Sequence, residues 1–383
     1  MIRRVPPDDM EKVKPLAAGL DDQIMAQAVL DGTRPGVVLS NDEKTPSSVF
    51  IAAPEGSFAW TYLCGRANDS AFNNALHHWL FDEEGLGGQV AFSFLVCDDA
   101  SWESALKEIL APRVSIPDRR LFYSCTHAPR AWREEIPEGY DVLPVDADLL
   151  QSAVEIPEKV EQWFDHNFGS RYAFLQRGFG AVAVHDNRIV GWCLADSIAS
   201  NRADIGPETE EAHQRKGLAT ATTCLTLKQG FDRGLEKIGW HCHVINEPSI
   251  KTANSAGFKL NYEYPAYAVH FDVEKHAGLA KTIGDEIIGQ AREALNSGSY
   301  EEAHRLFECA LGFSAHEDPA VYVQAAQAAS CCNQIDVAFT RLENAFTLGW
   351  VPPEQERVQP ELARLTTDPR WTTLEGEPHR LAQ

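Results

Sequence analysis

Residues 210–219 read Glu210-Glu211-Ala212-His213-Gln214-Arg215-Lys216-Gly217-Leu218-Ala219, and this stretch decides the fold. A predicted strand over 203–210 comes before it, and a predicted helix over 217–231 follows. Backbone N–H groups at a helix start, with the positive end of the helix dipole, suit a pyrophosphate. Gly217 allows a phosphate to approach the backbone closely, and Arg215 and Lys216 add positive charge. A solvated turn before an amphipathic helix would have the same residues, so the context has to decide between the two.

A second motif lies downstream. It reads Trp240-His241-Cys242-His243-Val244-Ile245-Asn246, followed by Ser249 and by Gly257-Phe258. This pattern predicts a strand over 238–245, a short helix ending near Ala256, and two final strands near Tyr262 and Val269. Gln214-x-x-Gly217-x-Ala219, together with a strand that ends in Asn, resembles the two hallmarks of the GCN5-related N-acetyltransferases, the GNAT family. The resemblance covers about residues 140–272 and implies an α/β fold with a GNAT-type mixed sheet flanked by helices. It also implies acetyl-CoA as cosubstrate and no metal.

The resemblance also implies which residues contact the cosubstrate. In this family the backbone at the end of the third strand binds the pantetheine arm. Here that strand end is Glu208, Thr209 and Glu210, with Thr209 nearest the acetyl carbonyl. The pyrophosphate would lie on the loop residues Gln214, Arg215, Lys216, Gly217, Leu218, Ala219 and Thr220. Asn246 would contact the cosubstrate from the neighbouring strand, and Ser249 from the start of the short helix.

Acetyl transfer to an amine needs a base, because the attacking nitrogen must be neutral. Asp204 and Glu208 are the candidate bases. They lie four residues apart on a predicted strand, so their side chains share a face. The alternative is that both are solvated carboxylates at a strand end.

The proton donor for the leaving thiolate is where the sequence departs from the family. Many members place a tyrosine seven residues after the Asn, and this chain has Ala253 there. Tyr262, Tyr264 or Tyr267 could substitute from the last strands, and we take Tyr264 as the candidate. Otherwise the thiolate leaves unassisted, or the protein binds the cosubstrate without turnover.

His241 and His243 alternate with Trp240 and Cys242, so both imidazoles are predicted on one face of the strand. His241 is a candidate acid or base near the acetyl group, and a hydrogen-bonded structural role is the commoner one for such a residue. A metal site is not expected, because no third His and no carboxylate lie near in sequence. Cys242 is expected in the core.

The order of elements occurs twice in the chain. Predicted strands over 37–40, 49–52 and 58–64, a helix over 71–80, a strand over 90–96, a helix over 102–110 and a strand over 121–125 repeat the order found downstream. We therefore predict a degenerate GNAT-like half at 1–138 and a GNAT domain with the acetyl-CoA site at 139–275. The equivalent turn of the first half, Cys64-Gly65-Arg66-Ala67, lacks the loop motif, so that half is expected to bind no cofactor.

Residues 280–383 contain a helical pattern that recurs after thirty-five residues. Gly298-x-Tyr300-x-x-Ala303-x-x-x-Phe307-x-x-Ala310 resembles the second helix of a tetratricopeptide repeat, and Ala338, Leu342 and Ala345 repeat its spacing. Small residues allow close helix contact, and large ones fill the grooves between helices. We predict a small all-α, tetratricopeptide-like domain that either recruits a protein partner or packs on the rest of the chain.

Composition narrows the classes of function. The 383 residues contain 34 Lys+Arg and 56 Asp+Glu, a net charge of −22, and each third of the chain is negative. This disfavours nucleic acid as a partner and would attract a cationic acceptor. The nine cysteines lack CxxC spacing, which is typical of reduced thiols and predicts a cytoplasmic protein. No apolar run could span a membrane, and no secretory signal is expected at the start.

Two functions from different classes remain. The first is an N-acetyltransferase that moves an acetyl group from acetyl-CoA to an amine by direct attack in a ternary complex. The second is a non-catalytic acyl-CoA-binding sensor or adaptor that recruits a partner through its helical repeats. Asp204 and Glu208 favour the enzyme, whereas Ala253 and the degenerate first half favour the sensor.

Overall fold

The computed structural model describes residues 2–127, 136–313, 316–351 and 360–376. The chain divides into two compact units, Met1–Ala111 with Pro117–Asp272 and Pro112–Ile116 with Val273–Gln383. Both predicted GNAT-like halves lie in the first unit. The domain boundaries that the sequence places at 138/139 and near 275–280 stay predictions.

The first unit is built on one sheet, which has twelve strands within the described residues. In chain order the strands are β1 (Arg3–Arg4), β2 (Val37–Ser40), β3 (Ser48–Glu55), β4 (Phe58–Gly65), β5 (Phe92–Cys97), β6 (Ile116–Cys125), β7 (Asp141–Pro144), β8 (Gly180–His185), β9 (Arg188–Ala199), β10 (Arg202–Thr209), β11 (Lys237–His243) and β12 (Lys259–His270). The α-helices are α1 (Met10–Val13), α2 (Ile24–Leu30), α3 (Ser70–Phe81), α4 (Trp102–Ile109), α5 (Ala147–Gln151), α6 (Glu158–Phe168), α7 (Arg171–Arg177), α8 (Leu218–Asp232) and α9 (Glu247–Ser255).

The two halves of the sheet exchange their last strands. The strand order is β1-β2-β3-β4-β5-β12-β6-β11-β10-β9-β8-β7. Strand β6 of the first half pairs antiparallel with β11, and β12 of the second half pairs antiparallel with β5. Because each final strand completes the neighbouring half, the halves form one continuous sheet. The sequence predicted strands in the regions of β5, β6, β11 and β12, but it predicted neither β1 and β7 nor this exchange.

The predicted order of elements is confirmed in both halves, since three strands, a helix, a strand, a helix and a strand occur in each. The prediction of two final strands was wrong, because Lys259–His270 is a single strand. Pro265 does not interrupt it: pairing with β5 begins at Ala266, so the missing proline N–H costs no bond to that neighbour. The β11 strand ends at His243, two residues earlier than predicted.

Buried aromatic side chains fill the core of each half. Trp192, Trp240 and Phe164 lie in one cluster of the second half, and Phe72 and Trp102 lie in a separate cluster of the first. Burial of such a side chain stabilises the fold by roughly 1.5–3 kcal/mol. These clusters hold the strands that carry the candidate site.

The described part of the second unit from Val273 onward has helices and no strands. They are α10 (Val273–Asn296), α11 (Tyr300–Phe313), α12 (Pro319–Cys331), α13 (Ile335–Thr347), α14 (Pro360–Ala363) and α15 (Pro369–Gly376). The small residues of the repeat pattern, Ala303, Ala310, Ala338 and Ala345, are buried. An all-helical C-terminal region is therefore confirmed, and its likeness to tetratricopeptide repeats stays a prediction. Across the described part of the chain, every helix is too short or too polar to cross a bilayer.

Candidate active site

The candidate site begins where two parallel strands separate. Strands β10 and β11 pair only from Arg202 opposite Lys237 to Asp204 opposite Gly239. Beyond that point β10 remains paired with β9 as far as Thr209, but it leaves β11. The peptide groups of 205–209 that face β11 therefore have no strand partner. Such a gap between strands can accept an extended ligand by backbone hydrogen bonds.

The loop after β10 has the geometry of an anion site. Gly217 occupies the N-cap of α8 with φ of +80°, and no side chain caps this helix. The first-turn N–H groups of Leu218, Ala219 and Thr220 have no acceptor within the helix. Glycine is the residue that adopts this left-handed conformation at little cost and leaves the amides open. Arg215 also has a positive φ, of +60°, and its side chain is exposed.

The side chains of two loop residues, Gln214 and Lys216, bond to neighbouring protein groups and so fix the conformation of the loop. The Gln214 side chain donates to the Thr209 carbonyl (3.0 Å), and the Gln214 backbone N–H donates to the Glu211 carbonyl (3.3 Å). Gln214 therefore ties the loop to the end of β10. The Lys216 ammonium donates to the Tyr140 hydroxyl (2.8 Å), which also contacts His213 Nδ1 (2.9 Å). These contacts hold a positive charge at the loop.

The acidic residues at the end of β10 have cationic partners. The Glu208 carboxylate pairs with Lys159 of α6, and Glu210 accepts from Arg188 (2.8 Å). Their side chains are engaged, whereas their backbones line the gap. Glu208 is thus less suited than Asp204 to act as a base.

Asn246 and Ser249 lie beyond β11, in the turn and first helical turn that follow it. The Asn246 side chain caps α9 by accepting from the Ser249 N–H (3.1 Å), and Trp240 Nε1 donates to Ser249 Oγ (3.1 Å). These bonds fix the turn. The contact of both residues with the cosubstrate stays a prediction.

Three of the predicted catalytic residues come together at the point where the strands separate. Asp204 Oδ2 lies 3.6 Å from His241 Nε2, and His241 Nδ1 lies 2.9 Å from the Tyr264 hydroxyl. All three side chains are largely buried, with 8% of the Asp204 side chain exposed. The Asp204–His241 distance is longer than a hydrogen bond, so a proton would pass between these two side chains through a bound group rather than directly.

Burial raises the pKa of the Tyr264 phenol to about 12, so the phenol remains protonated at neutral pH. Of the other two tyrosines, Tyr262 is half-exposed and donates to Asp22 (3.2 Å), and Tyr267 pairs with Leu95 of β5. Tyr264 is therefore the tyrosine that contacts the predicted histidine. Ala253 is fully buried in the core, so no hydroxyl stands at the usual family position.

His243 has a different partner from His241. Its Nε2 lies 2.5 Å from Asp118 Oδ1 of β6, and Cys242 is buried as predicted. Among the described residues, no group of three or more His, Cys, Asp or Glu side chains is placed to hold a metal ion.

Three buried polar atoms in and beside the gap have no hydrogen-bond partner: Asp204 Oδ1, His241 Nε2 and Thr209 Oγ1. Buried polar groups are normally paired, and an unpaired one is costly. Asp204 Oδ1 and His241 Nε2 lie together where the strands separate, which fits a bound ligand with a polar group, whereas Thr209 is on the opposite face of β10 from Asp204.

The corresponding region of the first half is closed. Strands β4 and β5 pair from Phe58 to Leu63 without separating, and the Asp98 N–H extends this pairing to the Leu63 carbonyl (2.9 Å). The Asp98 carboxylate accepts from the Gly65 N–H (2.8 Å), and Asp69 caps α3. Carboxylates thus accept hydrogen bonds from backbone N–H groups of the first half, in a region where the second half has N–H groups without partners.

Sequence reasoning missed the residues that the exchanged strands and the N-terminal segment bring to the cluster. Phe122 of β6 stacks on His241 with ring centroids 4.8 Å apart. Gln23 and Arg120 lie near the Tyr264 hydroxyl and oppose the effect of burial on its pKa. Spacing along the chain gives no signal for these contacts, because they depend on which strand lies beside β11.

Comparison with known proteins identifies the class. A family model described as GNAT acetyltransferase matches residues 14–267, more than half of the chain. The chain therefore belongs to the GNAT acetyltransferase family. The matched region includes both halves of the sheet and ends before α10.

Two similar proteins each cover about two thirds of the chain. The uncharacterized N-acetyltransferase YdfB of Bacillus subtilis (strain 168) is 25% identical over 242 residues, which is 63% of this chain and 88% of that protein. A GCN5-related N-acetyltransferase-like protein from Streptococcus suis 89/1591, solved at 1.80 Å, has a TM-score of 0.51 and 21% identity. It covers 68% of this chain and 98% of its own, and it supports the fold.

Proposed function

We propose that the protein is an N-acetyltransferase that transfers an acetyl group from acetyl-CoA to an amine within a ternary complex. The observation that carries this proposal is the separation of β10 from β11 beside an uncapped helix start. The open amides of Leu218–Thr220 would hold the pyrophosphate, and the backbone of 205–209 would hold the pantetheine arm. The acetyl carbonyl would then lie at the inner end of the gap near Ile205, next to Asp204. This position is about 13 Å along the strand from Thr209, the residue that the sequence predicts nearest the carbonyl.

The buried cluster at that end would perform the proton transfers. Asp204, with His241, takes a proton from the attacking amine. The C–N bond forms, the thioester C–S bond breaks, and His241 returns the proton to the leaving thiolate. A thiol has an ordinary pKa of about 8.5, well below that of Tyr264, so Tyr264 is a poor donor to the thiolate. We therefore assign Tyr264 to orient His241.

We propose that the acceptor enters through a cavity of about 350 Å³ whose wall includes Tyr264. The cavity contacts Asp22, which pairs with Lys237 at the start of β11 (2.5 Å). It therefore lies at the opposite end of β11 from the phosphate loop. Its other polar wall residues are Gln23, Asp98, Asp99, Glu103, Tyr262 and Tyr267, and no Lys or Arg is among the described residues that line it. Carboxylates and tyrosine rings favour a cationic amine.

A non-catalytic acyl-CoA sensor is the alternative, and the buried Ala253 favours it. In that case the same gap binds the cosubstrate, and the tetratricopeptide-like helices would recruit a protein partner. The first half, whose strands do not separate and whose amides face carboxylates, is proposed to hold no cosubstrate in either case.

The test is titration calorimetry with acetyl-CoA on the wild type, Gly217→Glu and Gly234→Glu. Gly217 and Gly234 flank the two ends of α8 with φ of +80° and +88°, so both variants strain the backbone alike. Only the first places a carboxylate on the open amides, so binding should be lost in Gly217→Glu and kept in Gly234→Glu. Equal binding by all three would contradict the proposed cosubstrate site.

Activity is then measured as release of free CoA in the presence of cationic and neutral amines. Acetylation of a cationic amine that is lost in Asp204→Asn supports the enzyme. Binding of acetyl-CoA without turnover of any amine supports the sensor.

A further inference from the structure

The first half contributes a buried arginine to the second half. Arg34 follows α2, and only 1% of its side chain is exposed. Its Nη1 donates to the Asp196 backbone carbonyl (2.8 Å) and to Ser197 Oγ (3.1 Å), and it lies 3.4 Å from Asp196 Oδ1. Its Nη2 contacts the Glu55 carboxylate (3.4 Å). A planar guanidinium makes several directed bonds at once, which an ammonium cannot do.

The residues that Arg34 contacts form an irregularity in β9. Pairing between β10 and β9 steps from Asp204 opposite Ser197 to Ile205 opposite Ala195. Asp196 is therefore the extra residue of a β-bulge. A bulge frees backbone groups from the ladder and bends the strand, and here the freed Asp196 carbonyl accepts from Arg34.

The bulge lies beside the point where β10 and β11 separate, which is the proposed reaction site. It faces the Asp204–Ile205 step, which is where β10 leaves β11. Helix α6 of the second half holds the bulge as well: Trp163 Nε1 donates to the Ala195 carbonyl (2.8 Å), and Asn167 donates to Asp196 Oδ1 (2.9 Å). The bulge is thus fixed by one helix of its own half and by Arg34 of the other.

We propose that Arg34 is a positioning residue for acetyl transfer, which fixes the β9 bulge and through it the position of Asp204 and the width of the gap. This inference rests on the proposed function. It also gives the first half a role in the reaction although that half is proposed to bind no cosubstrate. Arg34 touches neither the phosphate loop nor the cluster of Asp204, His241 and Tyr264 in the hydrogen bonds described here.

Arg34 also neutralises its surroundings. Burial raises the pKa of Asp196 and raises that of Glu55 to about 7, and Arg34 opposes both shifts. Removing the guanidinium outright would leave buried carboxylates without a counter-charge and threatens folding. Arg34→Lys is therefore the informative variant, because it keeps the positive charge but cannot make all of the hydrogen bonds that the guanidinium makes.

The experiment compares wild type, Arg34→Lys and the control Asp21→Ala. Asp21 forms another ion pair between the halves, with Arg202 (2.7 Å), but Asp21 is exposed and far less constrained. For Arg34→Lys we expect kcat to fall at least tenfold, with the acetyl-CoA Kd within threefold of wild type. Asp21→Ala should keep wild-type values of both. An Arg34→Lys protein with unchanged kcat would overturn the proposal.

Hydrogen–deuterium exchange of the same proteins provides a readout that needs no acceptor. We expect faster exchange in 193–197 and 205–209 of Arg34→Lys, and no change there in Asp21→Ala. Unchanged exchange would refute the positioning role. If exchange is faster in Arg34→Lys but the wild type acetylates no amine, Arg34 still fixes the bulge, and the proposed function is refuted.

Discussion

Gly239 offers the sharpest test of the role of Asp204. A Cβ atom added there would lie 2.1 Å from Asp204 Oδ1 and 3.1 Å from Phe122 Cε2. Ordinary carbon contacts are about 3.5–4.0 Å, so in Gly239→Ala the carboxylate must move by roughly 1 Å or more. A displacement of about 1 Å can reduce a rate by about 100-fold. We expect kcat to fall by that order, with a loss of stability of about 1–3 kcal/mol from overpacking.

The assays are CoA release, calorimetry with acetyl-CoA and denaturant unfolding. A double-mutant cycle with Asp204→Ala separates displacement of Asp204 from general damage. Because Asp204→Ala removes the closer contact and leaves the one with Phe122, Gly239→Ala should then cost little further activity and less stability than in the wild type. If Gly239→Ala has full activity, or if its cost is the same in both backgrounds, the assignment of Asp204 is wrong.

Two further predictions follow from the buried groups around the site. Tyr264→Phe removes the hydroxyl that contacts His241. The loss of one orienting hydrogen bond, about 0.5–1.5 kcal/mol, should lower kcat by up to about tenfold without a change in the acetyl-CoA Kd. Tyr262→Phe, at a half-exposed residue, should have little effect on kcat, and steady-state kinetics of both variants checks this. Burial raises the pKa of Glu55 from 4.5 to about 7, so the folded protein binds this proton more tightly than the unfolded chain does. The resulting contribution to the free energy of unfolding is complete below pH 4.5 and is lost as the pH rises through about 7. Denaturant unfolding at pH 5 and 8 should therefore show a larger loss of stability in the wild type than in Glu55→Gln, and an equal loss in both would contradict the buried-carboxylate argument.

The sequence was sufficient for the elements and for much of the site because the signals are local. Gln214-x-x-Gly217 lies between a strand and a helix. A glycine at the start of a helix indicates both a sharp backbone turn and first-turn N–H groups that no side chain caps. His241 and Cys242 alternate on β11, which correctly predicts that one faces the cluster and the other the core. Asp204 and Tyr264 were predicted one by one, and the structure brings them to the same histidine.

What the sequence could not predict depends on contacts between distant segments. The exchange of β6 and β12 is invisible to hydrophobic periodicity, since each strand has the same pattern wherever it inserts. The β9 bulge likewise leaves no mark except Asp196, a charged residue within an apolar strand. Buried charges need partners, so Asp196 signals that a cation lies nearby, but not that the cation is Arg34.

The strand exchange would give the first half a structural role beside the site although that half lacks the phosphate-loop motif. Strand β6 forms the neighbour of β11 on the side away from β10, so it supports His241 through Phe122. Strand β12 supplies Tyr264, but it needs β5 of the first half for its pairing from Ala266 onward. Residues on both sides of the cluster of Asp204, His241 and Tyr264 therefore depend on the first half for their position. Loss of its own cosubstrate features costs that half nothing, whereas loss of β5, β6 or Arg34 would disturb the site next to it.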